Sequence, residues 1–366
     1  MSVNVVEFAN PPDSRAWYGN LHGFGVKPSG RWRLVTFSKQ AFSLHSFPSH
    51  SGIMYDIIGD IHGCADELVE LLERLGYSQE SSVFRHPERK VIFCGDFIDR
   101  GPQICDVLNI CRSMCQQQAA LAVMGNHELN ALAYHTPDPF LPGEFLRRHT
   151  EHNNRQIAQT LQQLSALQLR ESLDWFRTLP ACLELPELRV VHACWDPADL
   201  ALLQRAAAEL GWMTDAYLHK AARSGTDLFR SIERVMKGPE MRFPNGVSLT
   251  DREGLVRKRG RIRWFDDPAG YSFSDYMFPS LPLPEFEGAA VPGDVQPCPY
   301  PRDARPLFFG HYWLRDRKPA PIRHNLACLD YSIARDGMLT AYRFHGSGSL
   351  VSEHFVTVPR RSATPV

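Results

Sequence analysis

MYDIIGDIHGCADELVELLERLGY, residues 54–77, decides the fold. MYDII (54–58) is a short apolar run that ends in Gly59-Asp60. Behind it, Leu68, Leu71, Leu72 and Leu75 repeat at i, i+3, i+4, i+7, with Glu67, Glu70 and Glu73 off that stripe. The spacing predicts an amphipathic helix closed by Gly76. A strand that turns through Gly-Asp into a helix is the building unit of an α/β sheet. The unit recurs. KVIFC (90–94) ends in Gly95-Asp96 and precedes a helix expected over 102–117, with Pro102 in its first turn. ALAVM (120–124) ends in Gly125-Asn126. LRVVHA (188–193) and LFFGH (307–311) are two further strands, and LACLDYSIA with MLTAYRF reads as a β-hairpin around Asp336-Gly337. The expected class is therefore α/β, with layered helices and some antiparallel character late in the chain.

Three regions stand apart from this alternation. Residues 1–52 hold PPDS, KPSG and FPSHSG without sustained periodicity and read as a loosely ordered leader. The main domain is expected over 53–345, and 346–366 as a C-terminal tail. Between the fourth and fifth strands lies an insertion, 194–305, helical over 197–237 and irregular in its proline-rich part, 279–306. Its KGPEMRFPNGVSLTDREG stretch (237–254) reads as a hairpin or loop with a bearing on substrate choice.

Composition narrows the function. The chain has 366 residues, 43% hydrophobic and 22% charged, enough to bury a sizeable core. Formal net charge is −1 and no Lys/Arg tract is present, so neither nucleic acid nor membrane is expected as a partner. No apolar run reaches spanning length, and no basic region followed by an apolar core marks a secretory signal, so the expected compartment is cytoplasmic. Nine cysteines without a CxxC pair fit buried free thiols; Cys111 and Cys115 alone are too few for a structural zinc site.

The chemistry sits at strand ends, where open α/β sheets bind ligands. Glycine before each polar residue lets the backbone turn sharply, so Asp60, His62, Asp96, Asn126, His192 and His311 can converge on one rim. Oxygen and nitrogen donors without thiolate suit manganese, iron, zinc or related ions. Six donors exceed the needs of one ion but suit two that share a carboxylate, the pair that clamps both oxygens of an in-line displacement. Two carboxylates against two divalent ions leave the centre positive, which suits a phosphate substrate. Taken alone, a histidine after Val190-Val191 or after Phe308-Phe309-Gly310 would be an ordinary core residue; the motif order makes it a ligand candidate.

GDIHG, GDFIDRG, GNHE, VVHA and GHYW, in that order across residues 54–345, resemble the phosphoprotein phosphatase branch of the calcineurin-like metallophosphoesterases. The bacterial members, including symmetrical diadenosine tetraphosphatases, are the most similar, with a late strand resembling CLDYSIARDGMLTAYR. The resemblance implies a four-layer α/β/β/α sandwich, with the insertion placed before the last metal histidine. It implies that Asp60 and His62 hold a first ion, that Asp96 bridges, and that Asn126, His192 and His311 complete a second. Manganese is the expected ion, with iron, zinc or nickel as alternatives. A bridging hydroxide would be the nucleophile and His127 the general acid, oriented by Asp99, while Arg100 grips phosphate oxygens. The family usually supplies a second phosphate-binding arginine between the last two metal histidines; in RKRGRIRWFDD the candidate is Arg263, with Arg261 behind it. Tyr134, Trp195, Tyr312 and Trp313 adjoin motifs and could line the cleft, although core packing is the ordinary role of each. His135, His149, His152, His219 and His324 read as surface or structural.

The implied function is hydrolysis of phosphomonoesters, first of phosphoserine, phosphothreonine or phosphotyrosine in proteins, and second symmetrical cleavage of diadenosine tetraphosphate. A non-catalytic metal-bearing interaction protein is the remote alternative; intact Asp99, Arg100 and His127 argue against it. The regular pattern starts at Met54, which is the expected natural translation start. A chain of residues 54–366 should then fold and keep full activity; loss of either on expression would contradict a dispensable leader.

Overall fold

A computed structural model describes residues 54–250 and 254–361. The expected leader, 1–52, lies outside the described residues.

Two sheets form the centre. In the first, Met54–Ile58 lies parallel to Arg89–Phe93, which lies parallel to Ala120–Ala122. On its other edge Met54–Ile58 pairs antiparallel with Met338–Phe344, which also pairs with Asp330–Tyr331 and Phe355–Pro359. The second sheet runs Leu326–Cys328, Leu307–Phe309, Arg189–Val191, Cys182–Glu184. Period-2 alternation sorts the side chains. Ile57, Ile92, Cys94, Val190, Phe308, Ala327 and Tyr342 fill the space between the sheets. Ile58, Val91, Phe93, Leu307 and Phe309 face outward into the core formed with the helices. This is the expected α/β/β/α layering.

The helices follow their sequence signals. Ala65–Arg74 buries Leu68, Leu71 and Leu72, and Gly76 ends it at φ +82°, where Tyr77 N–H donates to Leu72 O at 2.9 Å. The second helix is Ile104–Gln116, so Pro102 falls outside it. Residues 99–103 are instead a turn tied to the first motif, with Gln103 N–H on Gly63 O at 2.9 Å. The insertion is helical over Pro197–Leu210, Asp215–Ala221 and Asp227–Lys237, as its periodicity predicts. Arg234 ties the first and last of these through Asp196 and Asp199, both at 2.8 Å. Its aromatic residues cover the second sheet: Trp264, Phe265 and Phe278 ring Phe309. Within 237–254, Glu240–Arg242 pairs with Arg259–Arg261.

Two sequence expectations change. The late hairpin is split between sheets. Leu326–Cys328 pairs with Leu307–Phe309, while Asp330–Tyr331 crosses over to Met338–Phe344. The crossing is tight at Leu329, whose carbonyl oxygen would lie 2.2 Å from any Cβ on Gly59. The second change concerns 346–366. Its Phe355–Pro359 part is a strand of the first sheet, and Arg361 N–H donates to buried Glu67 at 2.9 Å. Val356 and Val358 give that segment its strand pattern, so the domain boundary drawn at 345 cuts through the sheet.

Beneath the first strand lies a buried ionic knot. Asp56 accepts two bonds from Arg89, at 2.8 and 2.9 Å, one from Tyr77 OH at 3.1 Å and one from Arg343 at 3.2 Å. Removing one partner strands a buried charge. Asp56→Ala should therefore cost about 3–5 kcal/mol in urea unfolding, whereas Asp56→Leu with Arg89→Met should recover most of it. Equal losses in both variants would contradict the stranded-charge account.

Candidate metal centre

Loops at the tips of both sheets meet at one buried point. Ile61 N–H and His62 N–H both donate to Asp96 O, at 3.1 and 2.9 Å, and Gly310 N–H donates to His192 O at 2.8 Å. The glycines earn their place differently from one another. Gly95 has φ +91°, and a Cβ there would lie 2.4 Å from Gly125 N. A Cβ on Gly310 would lie 2.0 Å from Asp60 Oδ1. Close approach of loops is thus the common demand, and left-handed backbone falls on the functional candidates themselves. His62, Asp96, Asp99, Arg100 and His311 have φ of 46°, 54°, 67°, 70° and 73°. Such strain, about 1–3 kcal/mol per residue, persists only where the surroundings over-determine it.

Asp96 is the centre of the arrangement. Its Oδ2 lies 3.6 Å from His62 Nε2 and 3.9 Å from His127 Nε2, and its Oδ1 lies 3.5 Å from His192 Nε2. Ligand atoms of His62, Asp96 and His127 form one compact group, and those of Asp96, His192 and His311 form another. Asn126 Oδ1 joins the second, 3.1 Å from His192 Nε2. Asp60 lies in neither group: its carboxylate accepts the His311 backbone N–H at 3.1 and 3.2 Å. So the first group contains His127, where the sequence reading has Asp60.

The donor chemistry fits cations. His62 Nδ1 faces Ile98 O at 2.9 Å and His192 Nδ1 faces Cys94 O at 2.8 Å. A carbonyl partner requires the proton on Nδ1 and leaves the Nε2 lone pair aimed inward. Among the described residues, buried His62 Nε2 and His311 Nε2 have no hydrogen-bond partner. Burial holds both rings well below the ordinary imidazole range, assisted by Arg100 for His62 and by Arg261 for His311. Burial raises the Asp60 carboxyl, and Asp330 and Asp96 raise it further. Burial acts on Asp96 the same way, but His192, His127 and His62 outweigh it and pull the group below the carboxylate range. Neutral imidazoles and crowded, buried carboxylates are a set that a divalent ion completes.

Three supports were hard or impossible to read from sequence. Glu128, the last letter of GNHE, accepts N–H from Asp96 and Phe97 at 2.9 Å and from Gly125 at 3.0 Å. Its motif position was the available signal. Thr160 Oγ1 donates to Asp99 Oδ1 at 2.5 Å and accepts Asp99 N–H at 3.1 Å. It lies in a plain polar helix, Glu151–Gln163, with nothing local to mark it. Asp330 accepts the backbone N–H of Trp313 at 2.8 Å and of Ser332 at 2.9 Å.

The remaining candidates divide. His127 Nδ1 bonds Asp99 Oδ2 at 2.5 Å, and Arg100 Nη2 lies 3.5 Å from His127 Nε2. Arg263 does not reach this rim. It pairs with Asp266 at 3.9 Å and packs among Phe265, Tyr271 and Phe278. Arg261 takes that place, donating to His311 O at 2.7 Å. Residues alternate across a strand, so a two-residue change of candidate keeps the face; what removes Arg263 is that Arg259–Arg261 ends first. Tyr134, Trp195 and Tyr312 are buried packing residues, and Trp313 is half-buried among the arginines. His149 stacks between Tyr134 and Phe145, a structural role. No described helix is long and apolar enough to cross a membrane.

The calcineurin-like phosphoesterase family model matches residues 55–227. Asymmetrical bis(5'-nucleosyl)-tetraphosphatases PrpE of Halalkalibacterium halodurans and Anoxybacillus flavithermus are 42% and 50% identical to the chain. Each match runs over 76 residues, 20% of this chain and 31% of the relative, so the chain spans less than a third of either. A cold-active protein-tyrosine phosphatase of a psychrophilic Shewanella superposes with a TM-score of 0.48 at 17% identity, covering 85% of this chain and 81% of that one.

If Asp96 is shared, atomic emission should find about two manganese equivalents per chain in the wild type. Asp96→Asn should lose most of both, and Thr160→Val should lose neither. Full occupancy in Asp96→Asn would contradict a shared carboxylate.

Proposed function

From the match of residues 55–227 to the calcineurin-like phosphoesterase family, we propose that the chain is a phosphoester hydrolase that displaces a leaving oxygen from phosphorus by in-line attack of water at the Asp96 centre. His62, Asp96, His192, His311 and Asn126 would hold two divalent ions, manganese by preference, with Asp60 alongside. When bound, such ions polarise the phosphoryl group and make the attacking water acidic near neutral pH.

The observation that carries this reading is the His127–Asp99 contact at 2.5 Å beside Asp96. Asp99 accepts from Nδ1, fixes the ring, and leaves Nε2 to deliver a proton to the departing oxygen. Thr160 holds the second oxygen of Asp99, so the carboxylate cannot rotate away. Arg100 Nη2 lies 3.5 Å from the same His127 Nε2 and would grip nonbridging phosphate oxygens through its planar fork. Arg261, at the His311 carbonyl, is the second such residue, in place of Arg263. A pure binding protein has no use for a leaving-group acid.

Two substrate classes use this chemistry. Phosphoprotein side chains, the first reading of the motifs, end in a poor alkoxide leaving group, which gives His127 its purpose. Dinucleoside tetraphosphates offer an anhydride, and the similarity to two tetraphosphatases over 76 residues supports that class. A cavity of about 230 Å³ lies between the Asn126–His135 helix and the insertion, lined by Leu129, Asn130, Arg147, Phe229, Ile232 and Lys237.

His127→Asn should keep its metal and lose about 10²–10⁴-fold in kcat on alkyl phosphates, with a smaller loss on nitrophenyl phosphate. Steady-state kinetics on manganese-loaded protein checks this; equal activity on both would remove His127 as the acid. A panel of phosphopeptide, diadenosine tetraphosphate and nitrophenyl phosphate separates the substrate classes. Two ADP per dinucleotide would mark symmetrical cleavage, and ATP with AMP asymmetrical cleavage.

A further inference from the structure

Trp313 follows the last metal-candidate histidine by two residues and gathers cations. The Arg100 guanidinium carbon lies 4.3 Å from its ring centre and that of Arg335 4.2 Å. Both are cation–π separations, so one indole holds the two groups. Arg261 stands further out, 5.6 Å from the same ring. Three guanidiniums thus surround one side chain at the edge of the metal centre. Arg315, Arg317 and Lys318 continue the positive charge along the exposed loop, with Asp316 the acid among them.

The backbone is built to hold this group. Trp313 has φ +52°, an expensive conformation for a bulky residue. Buried Asp330 pins it, accepting the Trp313 N–H on one oxygen and the Ser332 N–H on the other. Ser332 opens the turn that carries Arg335, and its hydroxyl donates to Leu314 O at 3.0 Å. One carboxylate therefore registers the indole loop against the Arg335 turn. Trp313 is consequently a positioning residue: it holds the Arg100 and Arg335 guanidiniums in one place.

One transferred phosphoryl group is matched by Arg100 and Arg261. Arg335 is a third guanidinium, brought to the same indole by the turn that follows Ser332. A cation there is useful to a substrate whose charge continues past the reacting phosphorus. We propose that Arg335, positioned by Trp313, binds a second phosphoryl group and makes this site selective for phosphoanhydride chains over phosphomonoesters. The proposal rests on the phosphohydrolase reading above and goes beyond it in naming the residue that selects the substrate class.

The test compares kcat/KM for diadenosine tetraphosphate and for nitrophenyl phosphate in manganese-loaded wild type, Arg335→Ala, Arg335→Lys and Trp313→Phe. Manganese content and thermal midpoint are measured alongside. In Arg335→Ala the preference for the tetraphosphate should fall about tenfold or more, carried by KM, because a charge-assisted phosphate contact is lost. Arg335→Lys should restore part of the preference. Trp313→Phe, a smaller platform, should lower it with Arg335 still present. Equal losses on both substrates in Arg335→Ala would make Arg335 a structural prop and overturn the proposal. Wild-type activity on the monoester with none on any polyphosphate would overturn it while leaving the phosphohydrolase reading intact. No hydrolysis of either by metal-loaded wild type would overturn that reading itself.

Discussion

The structure depends on keeping one buried carboxylate, Asp96, among three histidines without solvent. Its oxygens lie 3.5–3.9 Å from the Nε2 atoms of His62, His127 and His192. Nothing in that contact is held by the side chains alone. Glu128 fixes the Asp96 and Phe97 amides from below, and the Asp96 carbonyl in turn receives the amides of Ile61 and His62. The positive backbone angles at His62 and Asp96 fall within this mutual bracing. A centre of buried acids without a cation is electrostatically costly, and a divalent ion is the simplest compensation.

Much of this was legible in the sequence because it was encoded locally. Strand–Gly-polar units fall at loop positions, and the alternation of Ile57, Ile92 and Phe308 against Ile58, Phe93 and Phe309 separates inner from outer core. What escaped was long-range. Thr160 reaches Asp99 across 61 positions, and no local pattern distinguishes it from other polar helix residues. The split of LACLDY between two sheets depends on where Leu329 meets Gly59, which hairpin propensity cannot express. The strand at Phe355–Pro359 was too short to outweigh the polar residues around it.

The insertion shows the same limit. Its helices followed their periodicity, but the choice between Arg261 and Arg263 turned on strand length and on the Asp266 partner. The aromatic cluster of Trp264, Phe265 and Phe278 against Phe309 explains the composition of that stretch: it anchors the insertion on the second sheet and so fixes Arg261 at the rim. The cations around Trp313 come from three separate segments of the chain. Their juxtaposition is a property of the fold and has no counterpart in any one motif.

The central claim is that Asp96 is shared by two ions. Anomalous scattering from crystals soaked in manganese tests it most directly. Two peaks roughly 3.5–4 Å apart, one on the His62 side and one on the His192–His311 side of Asp96, are predicted. A single peak, or a pair that leaves Asp96 uncoordinated, would contradict the account.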